Sequence, residues 1–217
     1  MTKAFSPPAP ATAPPATARP YHHGDLRRAL IDAARTIIER DGAQAISLRG
    51  VAREAGVSPA APYHHFKDKQ ELLRAVGVQG FDDLAISMLR ALEKVPADPR
   101  ARLREIGVSY VLFALANPAI YRIMYDCARD MEGLPQDPHE KEHNAYDLVR
   151  ETVAAAGLAD PQNPAGVETV TIACWCAAHG VAEMVGFPQF APLRDALGGE
   201  VPLIRELLRH VGFAAER

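Results

Sequence analysis

The chain has 217 residues, of which 48% are hydrophobic and 24% charged, and its formal net charge at pH 7 is −3. This length and composition are those of an ordinary globular protein of one or two domains, and they exclude a collagen-like fibre. Three cysteines are too few for a small secreted protein stabilised by disulfides. We expect a reducing, cytoplasmic location and no membrane partner, because the chain lacks the ~20 uninterrupted apolar residues of a membrane helix and the apolar core of a signal peptide.

Charge is distributed unevenly along the chain. Residues 19–74 hold ten Arg and Lys against seven Asp and Glu, whereas residues 75–217 hold thirteen against twenty. A basic front and an acidic back would let one end of the protein approach phosphate while the rest is repelled from it. The asymmetry alone is a hint of nucleic-acid binding.

The first part of the chain predicts an arm followed by four helices. Residues 1–20 are rich in Pro, Ala and Thr and have almost nothing to bury, so they predict a disordered arm. Apolar residues then recur at helical spacing from Asp25 until Asp41-Gly42 ends the stripe. The next predicted helices cover 48–55 after the cap Ser47, 59–66, and 68–92 after a capping box of Asp68 and Glu71.

The rest of the chain is also predicted to be helical, and no segment shows the alternation of a strand. Helices are expected over 100–116, 118–127 after the cap Asn117, 140–156, 165–186 and 201–214, with Pro- and Gly-rich loops over 132–138 and between Pro188 and Gly199. The fold class is therefore all-α. We expect a three-helix helix-turn-helix DNA-binding domain over 21–67 and a larger helical domain over 68–217.

The segment Ile46–Phe66 has the pattern of a helix-turn-helix. Leu48, Val51, Ala52 and Ala55 form one apolar stripe, and Ala52 is small enough to let two helices cross closely. Gly56 tolerates the positive φ of a tight turn, and Val57 is placed to fill the inside of that turn. Ser58 is then expected to cap the second helix and to leave its N-terminus free for the major groove. The alternative is an ordinary helical hairpin.

A longer stretch matches a known family. The run YHHGDLRRALIDAARTIIERDGAQAISLRGVAREAGVSPAAPYHHFKDKQELLRAV resembles the N-terminal domain of TetR-family transcriptional repressors over more than fifty positions. Further on, Trp175-Cys-Ala-Ala-His179-Gly180 resembles the signature of the TetR subfamily whose C-terminal domain is named for Trp, His and Gly.

The resemblance implies a ligand-responsive regulator that binds double-stranded DNA as a homodimer and needs no cofactor. Its two recognition helices, here residues 59–65, would enter successive major grooves of a near-palindromic operator about 34–36 Å apart. The resemblance places Ala60, Ala61 and His64 where family members contact bases. It places Tyr63, Lys69 and either Ser47 or Arg49 where they contact phosphates. The full set of expected DNA-binding residues is Ser47, Arg49, Ser58, Ala60, Ala61, Tyr63, His64 and Lys69.

Two features qualify this DNA-binding interpretation. Many family members carry Thr-Leu where this chain has Ala61-Pro62, and alanine can only pack on a thymine methyl, so base readout would depend on His64, Arg49 and DNA shape. Residues Arg19, Tyr21, His22 and His23 before the first helix could reach phosphates or the minor groove. They could equally cap and pack the first helix.

The second domain is expected to enclose a small organic effector. Aromatic and Met side chains at helical spacing are the candidates, although any one of them is more often core than ligand contact. The expected ligand-binding residues are Phe81, Met88, Tyr110, Phe113, Tyr121, Met124, Tyr125 and Trp175.

Helix 165–186 is apolar nearly all round and, with the last helix, predicts a four-helix dimer seam. Ala177 and Gly180 would permit close approach of two such helices. His179 is expected to make an interhelical hydrogen bond, with ligand contact as the alternative. Cys174 and Cys176 are two apart on a helix and would therefore make a poor chelate.

A rival function comes from His139-Glu-Lys-Glu-His143, which spells the HExxH motif of zinc hydrolases. The motif is charged on every side and has no clear third ligand, so we expect no catalytic metal site and no enzyme. An adventitious surface metal site is the alternative. A pure protein-interaction module is the third class. Neither DNA nor metal would bind to it.

Overall fold

The computed structural model describes residues 23–129, 144–160 and 162–210. The predicted arm over 1–20, the loop over 132–138 and the motif His139–His143 lie outside these ranges. So do Tyr21, His22 and the predicted end of the last helix beyond residue 210.

Within the described ranges the chain is helical and contains no strand. The all-α prediction is confirmed. The α-helices are α1 His23–Asp41, α2 Leu48–Glu54, α3 Lys69–Leu92, α4 Pro99–Ala116, α5 Pro118–Arg129, α6 Ala145–Ala155, α7 Gly166–Met184, α8 Ala191–Ala196 and α9 Glu200–His210.

Side-chain caps start several of these helices. Ser47 Oγ accepts a hydrogen bond from the Gly50 amide at 3.1 Å, and the Asp68 carboxylate accepts one from the Glu71 amide at 2.8 Å. Each satisfies an amide that has no partner inside its own helix. The predicted cap residues Ser47 and Asp68 are thus confirmed. The Glu71 carboxylate accepts from the Lys67 amide at 2.8 Å, one residue before the position expected in a capping box.

The predicted recognition helix over 59–66 is wrong in its type, because the structure has a single 3₁₀ turn, Ala61–His64. Pro62 has no amide hydrogen and cannot donate to the Ser58 carbonyl, so the α-helical pattern cannot start there. Ala61 donates to Ser58 and Tyr63 to Ala60 at 3.0 and 3.1 Å, both with the three-residue spacing of a 3₁₀ helix.

The segment predicted as a loop between Pro188 and Gly199 also differs. It forms a 3₁₀ turn, Pro188–Phe190, followed by the short helix α8. Pro188 and Pro192 each lie in the first turn of their element, where the missing amide has no helical partner to lose. Glycines 198 and 199, both with positive φ, end α8 before α9 begins.

The long helix α3 joins the two halves of the molecule. Its first turn follows the 3₁₀ turn, and its remainder packs mainly on α5 and α4, while α1 contacts both α3 and α5. Arg35 on α1 forms an ion pair with Asp83 on α3, and Gln79 also donates to Asp83 at 3.3 Å. In the N-terminal unit the buried core is formed by Leu30, Ala34, Ile38, Val51 and Phe66, and it is continuous with the core of the later helices.

No single helix among the described residues is long and apolar enough to cross a membrane. By length and composition alone, two sharply bent pairs pass that test: Pro99–Ala116 with Pro118–Cys127, and Gly166–Met184 with Pro188–Ala196.

Candidate functional site

The turn after α2 has the geometry that the sequence predicts. Gly56 has a φ of 69°, a left-handed conformation that favours glycine. The Val57 amide donates to the Ala52 carbonyl at 2.9 Å and the Gly56 amide to Arg53 at 3.2 Å. This pair of bonds is a Schellman motif, which ends α2 and redirects the chain. Val57 is half-buried against the core, as predicted.

The residues expected to contact DNA lie around this turn. Arg49, Ser58, Ala60, Tyr63 and His64 are exposed, and the Tyr63 side chain retains 54% of its accessible surface. Ser47 is exposed but its hydroxyl already caps α2, and Ala61 is partly buried.

The expectation that Ser58 caps the second helix is wrong. The cap position of the 3₁₀ turn is Ala60, and no side-chain hydrogen bond caps this turn. Ser58 contributes its backbone carbonyl instead, because the missing amide of Pro62 moves the start of the turn towards Ala61.

Two basic side chains make contacts that stabilise the helix-turn-helix region. The Lys69 ammonium donates to the Gln44 carbonyl at 3.3 Å, which ties the first turn of α3 to the loop before α2. The Arg27 guanidinium lies 5.3 Å from the centre of the Phe66 ring. Lys69 is only partly buried, so its charge remains available to a phosphate beside this loop.

In the larger part of the molecule, five side chains from three helices form what we call the aromatic cluster: Tyr110, Tyr121, Tyr125, Trp175 and His179. Tyr110 is the hub, with its hydroxyl 3.1 Å from the Tyr121 hydroxyl and 3.3 Å from His179 Nδ1, and hydrogen-bonded to the Tyr125 hydroxyl. The Tyr121 hydroxyl lies 2.6 Å from His179 Nδ1. The Trp175 indole donates to Tyr125 at 3.1 Å.

Burial keeps the hydroxyls of this cluster protonated. It raises the pKa of Tyr125 to about 12 and also raises the pKa values of Tyr110 and Tyr121, since a phenolate is poorly solvated there. The nearby Glu183 carboxylate raises the pKa of Tyr121 and Tyr125 further by charge repulsion. The three tyrosine hydroxyls are therefore neutral at neutral pH and can donate hydrogen bonds.

The structure brings five of the eight expected ligand-binding residues together. Tyr110, Tyr121, Tyr125 and Trp175 form the cluster, and the Phe81 ring lies 5.7 Å from Tyr125. The other three belong to the helix packing: Met88 and Met124 are fully buried, and Phe113 is 8% exposed with no ring contact among the described residues.

Tyr146 is a neighbour of the cluster that the sequence did not indicate. Its ring centre lies 5.8 Å from that of Trp175, and its hydroxyl donates to Glu168. Helical spacing places Tyr146 near the start of α6, but only the packing of α6 on α7 brings it to Trp175.

Among the described residues, no group of three or more His, Cys, Asp or Glu side chains is placed to hold a metal ion. Cys174 is buried and Cys176 is exposed, so the two thiols point to different sides of α7 as expected.

Two sequence models of known families match the chain. Residues 30–76 match the model described as bacterial regulatory proteins of the tetR family, and residues 103–200 match a tetracyclin repressor-like C-terminal domain. The first match covers the α2 turn, and the second covers all five residues of the aromatic cluster.

Curated relatives are similar over the N-terminal part. The HTH-type transcriptional regulator BetI of Rhizobium meliloti is 39% identical over 77 residues, which is 36% of this chain and 37% of that protein. The nicotine-responsive transcriptional repressor HdnoR of Paenarthrobacter nicotinovorans is 41% identical over 69 residues, 32% of this chain and 36% of that protein. The matches thus span little more than a third of these relatives.

Solved structures are similar over most of the chain. A protein of unknown function from Rhodococcus sp. RHA1 is 33% identical, with a TM-score of 0.65 over 90% of this chain and 100% of that one. AibR in complex with isovaleryl coenzyme A and operator DNA is 18% identical, with a TM-score of 0.56 over 86% and 98% of the two chains. The AibR likeness is one of fold.

Proposed function

The chain belongs to the TetR family of transcriptional regulators, and from that premise we propose that it is a repressor released from DNA by a small organic effector. It binds a near-palindromic operator as a homodimer. Residues 21–67 read DNA, and residues 68–217 bind the effector and form the dimer. The observation that carries the proposal is the Schellman turn at Gly56, which is followed by the exposed side chains Tyr63 and His64.

The DNA-facing residues divide by chemistry. Tyr63 and Lys69 contact phosphates, as does Ser47 or Arg49, and Lys and Arg there set the register of the protein without reading sequence. His64 and Arg49 are the polar side chains that read base edges, because Ala60 and Ala61 offer only methyl groups. Operator recognition then depends largely on DNA shape.

The proposal includes membership of the Trp-His-Gly subfamily. The support is that Trp175 and His179, one turn apart on α7, both point into the aromatic cluster. The same cluster is the proposed effector site, together with Phe81, whose ring lies beside Tyr125. Met88, Phe113 and Met124 belong to the helix packing around that site.

The homodimer is supported by an apolar stripe that runs along α7 and into the turn after it. Ile172 and Met184 of α7 are each 49% exposed, and Phe187, which follows the helix, is 42% exposed. Ala173 and Cys176 of α7 are also exposed. Exposed apolar surface of this kind is covered in most proteins by a partner. A second copy would cover it and form the seam of four helices.

Effector release uses the position of α3. Lys69 at its first turn faces DNA, and further along the helix packs on α5, which carries Tyr121 and Tyr125. A ligand that displaces α5 would move α3 and change the spacing of the two recognition turns. Near-complete release requires the ligand to prefer the displaced state by about 5.5 kcal/mol.

The test is operator selection from random duplex DNA, followed by binding measured at several salt concentrations. Lys69→Ala should weaken binding to every sequence and reduce the salt slope by about two per dimer, one phosphate contact for each subunit. Lys94→Ala, which removes an exposed charge after the far end of α3, is the matched control. An unchanged slope in Lys69→Ala contradicts the assigned contact, and a wild-type protein that selects no duplex contradicts the proposal.

A further inference from the structure

Most ring pairs of the aromatic cluster stand at large angles to one another. Tyr110 is at 89° to Tyr121 and at 79° to Trp175, and Tyr125 is at 60° to Tyr121 and 58° to His179. Tyr121 and His179 are closer to parallel, at 30°. Rings arranged in this way resemble the walls of a box. Their centres are 4.4 to 6.0 Å apart, so the box is closed in this structure.

The charges that act on the box itself are acidic. The Glu183 carboxylate raises the pKa of both Tyr121 and Tyr125. Beside Trp175, Glu168 accepts the hydrogen bond of Tyr146, where Arg150 supplies one opposing positive charge. Helix α7, which supplies one wall, contains these two glutamates and no Lys or Arg. A carboxylate ligand would therefore meet the same burial and repulsion that oppose ionisation of the tyrosines.

We propose that the aromatic cluster binds the cationic head group of an organic ammonium ligand. This inference rests on the proposed function, because it assigns a chemical class to the effector. The electron-rich faces of Trp and Tyr attract a quaternary or alkylated ammonium, which needs no hydrogen-bond partner, and the acidic rim adds to that attraction. Wall rings at large angles to one another can present several faces to one head group.

The box has a closed floor and a more accessible side. Tyr110 is 1% exposed and forms the floor, while Tyr125, Trp175 and His179 are only partly buried. A head group that enters from this side must separate Tyr125 on α5 from His179 on α7, whose ring centres are 4.4 Å apart. The opposite side of α5 lies against Gly77 and Gly80 of α3, so that movement reaches the helix that carries Lys69.

Trp175 is the only tryptophan of the chain, so its fluorescence reports on the cluster alone. We would titrate the full-length protein with three probes of nearly equal shape: (2-hydroxyethyl)trimethylammonium, its neutral carbon isostere 3,3-dimethylbutan-1-ol, and 3,3-dimethylbutanoate. The ammonium probe should change the emission saturably and bind at least about tenfold tighter than the other two. An equal or tighter response to the alcohol or the carboxylate overturns the proposal, as does no response to the ammonium.

Variants separate ring attraction from hydrogen bonding. Tyr125→Phe keeps the ring and should bind the ammonium within about threefold of wild type, whereas Tyr125→Leu should bind about tenfold more weakly. Glu183→Gln should weaken binding of the ammonium probe roughly two- to fivefold. Glu39→Gln, which changes an exposed glutamate on α1, should leave that binding unchanged. Equal losses in the Phe and Leu variants overturn the ring-based mechanism, provided that circular dichroism shows both folded.

Operator binding in the same buffer separates this inference from the function on which it rests. If the wild-type protein binds its selected operator but the ammonium probe does not change the Trp175 fluorescence, the proposed ligand class is wrong. The proposed function as a DNA-binding regulator is then unaffected. If no duplex is bound, the proposed function fails whatever Trp175 reports. Release of the operator by the ammonium, but not by its neutral isostere, supports both.

Discussion

One hydrogen bond of the aromatic cluster has a direction fixed by chemistry. The Trp175 indole N–H can only donate, so the Tyr125 hydroxyl oxygen accepts from it. Among the Tyr110, Tyr121 and Tyr125 hydroxyls and His179 Nδ1, either partner of each pair can be the donor. Each of the three hydroxyls has a partner within the cluster, which offsets the cost of burying three phenols together.

These buried phenols predict a loss of stability at alkaline pH. The folded-state pKa of Tyr125 is about 12, and an unfolded tyrosine titrates near 10. Between these values the unfolded chain loses protons that the folded protein keeps, so the free energy of unfolding should fall by up to about 1.4 kcal/mol per pH unit for each such tyrosine. Urea unfolding measured between about pH 9 and 11.5, a range that spans most of the interval between the two pKa values, checks this.

The matched variants are Tyr125→Phe and Tyr63→Phe. The first removes one buried hydroxyl and should reduce the alkaline slope. The second removes a tyrosine that is 54% exposed and lies outside the cluster, so the slope should be retained. Equal slopes in wild type and Tyr125→Phe would contradict the assigned burial effect.

At the scale of elements, the crossing of α3 and α5 is a backbone contact through two glycines. A Cβ atom added at Gly80 would lie 2.6 Å from Met124 Cγ and 3.1 Å from Ile120 Cγ2. At Gly77 the nearest atom, Cys127 Cβ, would be 3.5 Å away, which is an ordinary contact. The two glycines share a helix face, yet only Gly80 is required by the packing.

We therefore expect opposite effects from the same substitution. Gly80→Ala should lower the free energy of unfolding by about 1–3 kcal/mol through overpacking. Gly77→Ala should leave it unchanged or raise it by up to about 1 kcal/mol, because alanine is the better helix former. Urea unfolding of the two variants is the measurement. If Gly80→Ala and Gly77→Ala lower the free energy of unfolding by the same amount, the close contact of α5 with Gly80 is contradicted.

The whole molecule has two surfaces of opposite character. The turn after α2 presents polar and basic side chains, whereas α7 and the turn after it present Ile172, Met184 and Phe187. The proposed homodimer uses both surfaces, because a single reader would contact only half of a palindrome. The continuous helix α3 and the Arg35–Asp83 ion pair connect the proposed reader to the body that carries the proposed seam.

Disruption of the seam should yield monomers. Ile172→Glu places a charge in the middle of the α7 stripe, where dimerisation would have to bury it. Ile86→Glu, at a similarly exposed isoleucine on α3, is the control and should remain dimeric. Sedimentation velocity distinguishes the two. A dimeric Ile172→Glu protein, or a monomeric wild type, would show that the stripe is not the seam.

Much of the architecture follows from local patterns. The periodicity of apolar residues predicts the helices, and Ser47, Asp68 and Gly56 mark their ends, because capping and positive φ depend on a few neighbouring atoms. The recognition turn follows less directly from local patterns. The sequence predicts a helix over 59–66, but the missing amide of Pro62 leaves only the 3₁₀ turn Ala61–His64.

The sequence by itself determines the local features. The helix-turn-helix, its glycine turn, the caps and the apolar stripe along α7 all depend on residues within a few positions of one another. Contacts between helices that are distant in the chain are not determined in this way. The sequence lists eight candidate ligand contacts, but the fold alone sorts Tyr110, Tyr121, Tyr125 and Trp175 into one hydrogen-bonded cluster and Met88 and Met124 into the core. The reason is that side chains up to sixty-nine residues apart, such as Tyr110 and His179, meet only once the helices have packed.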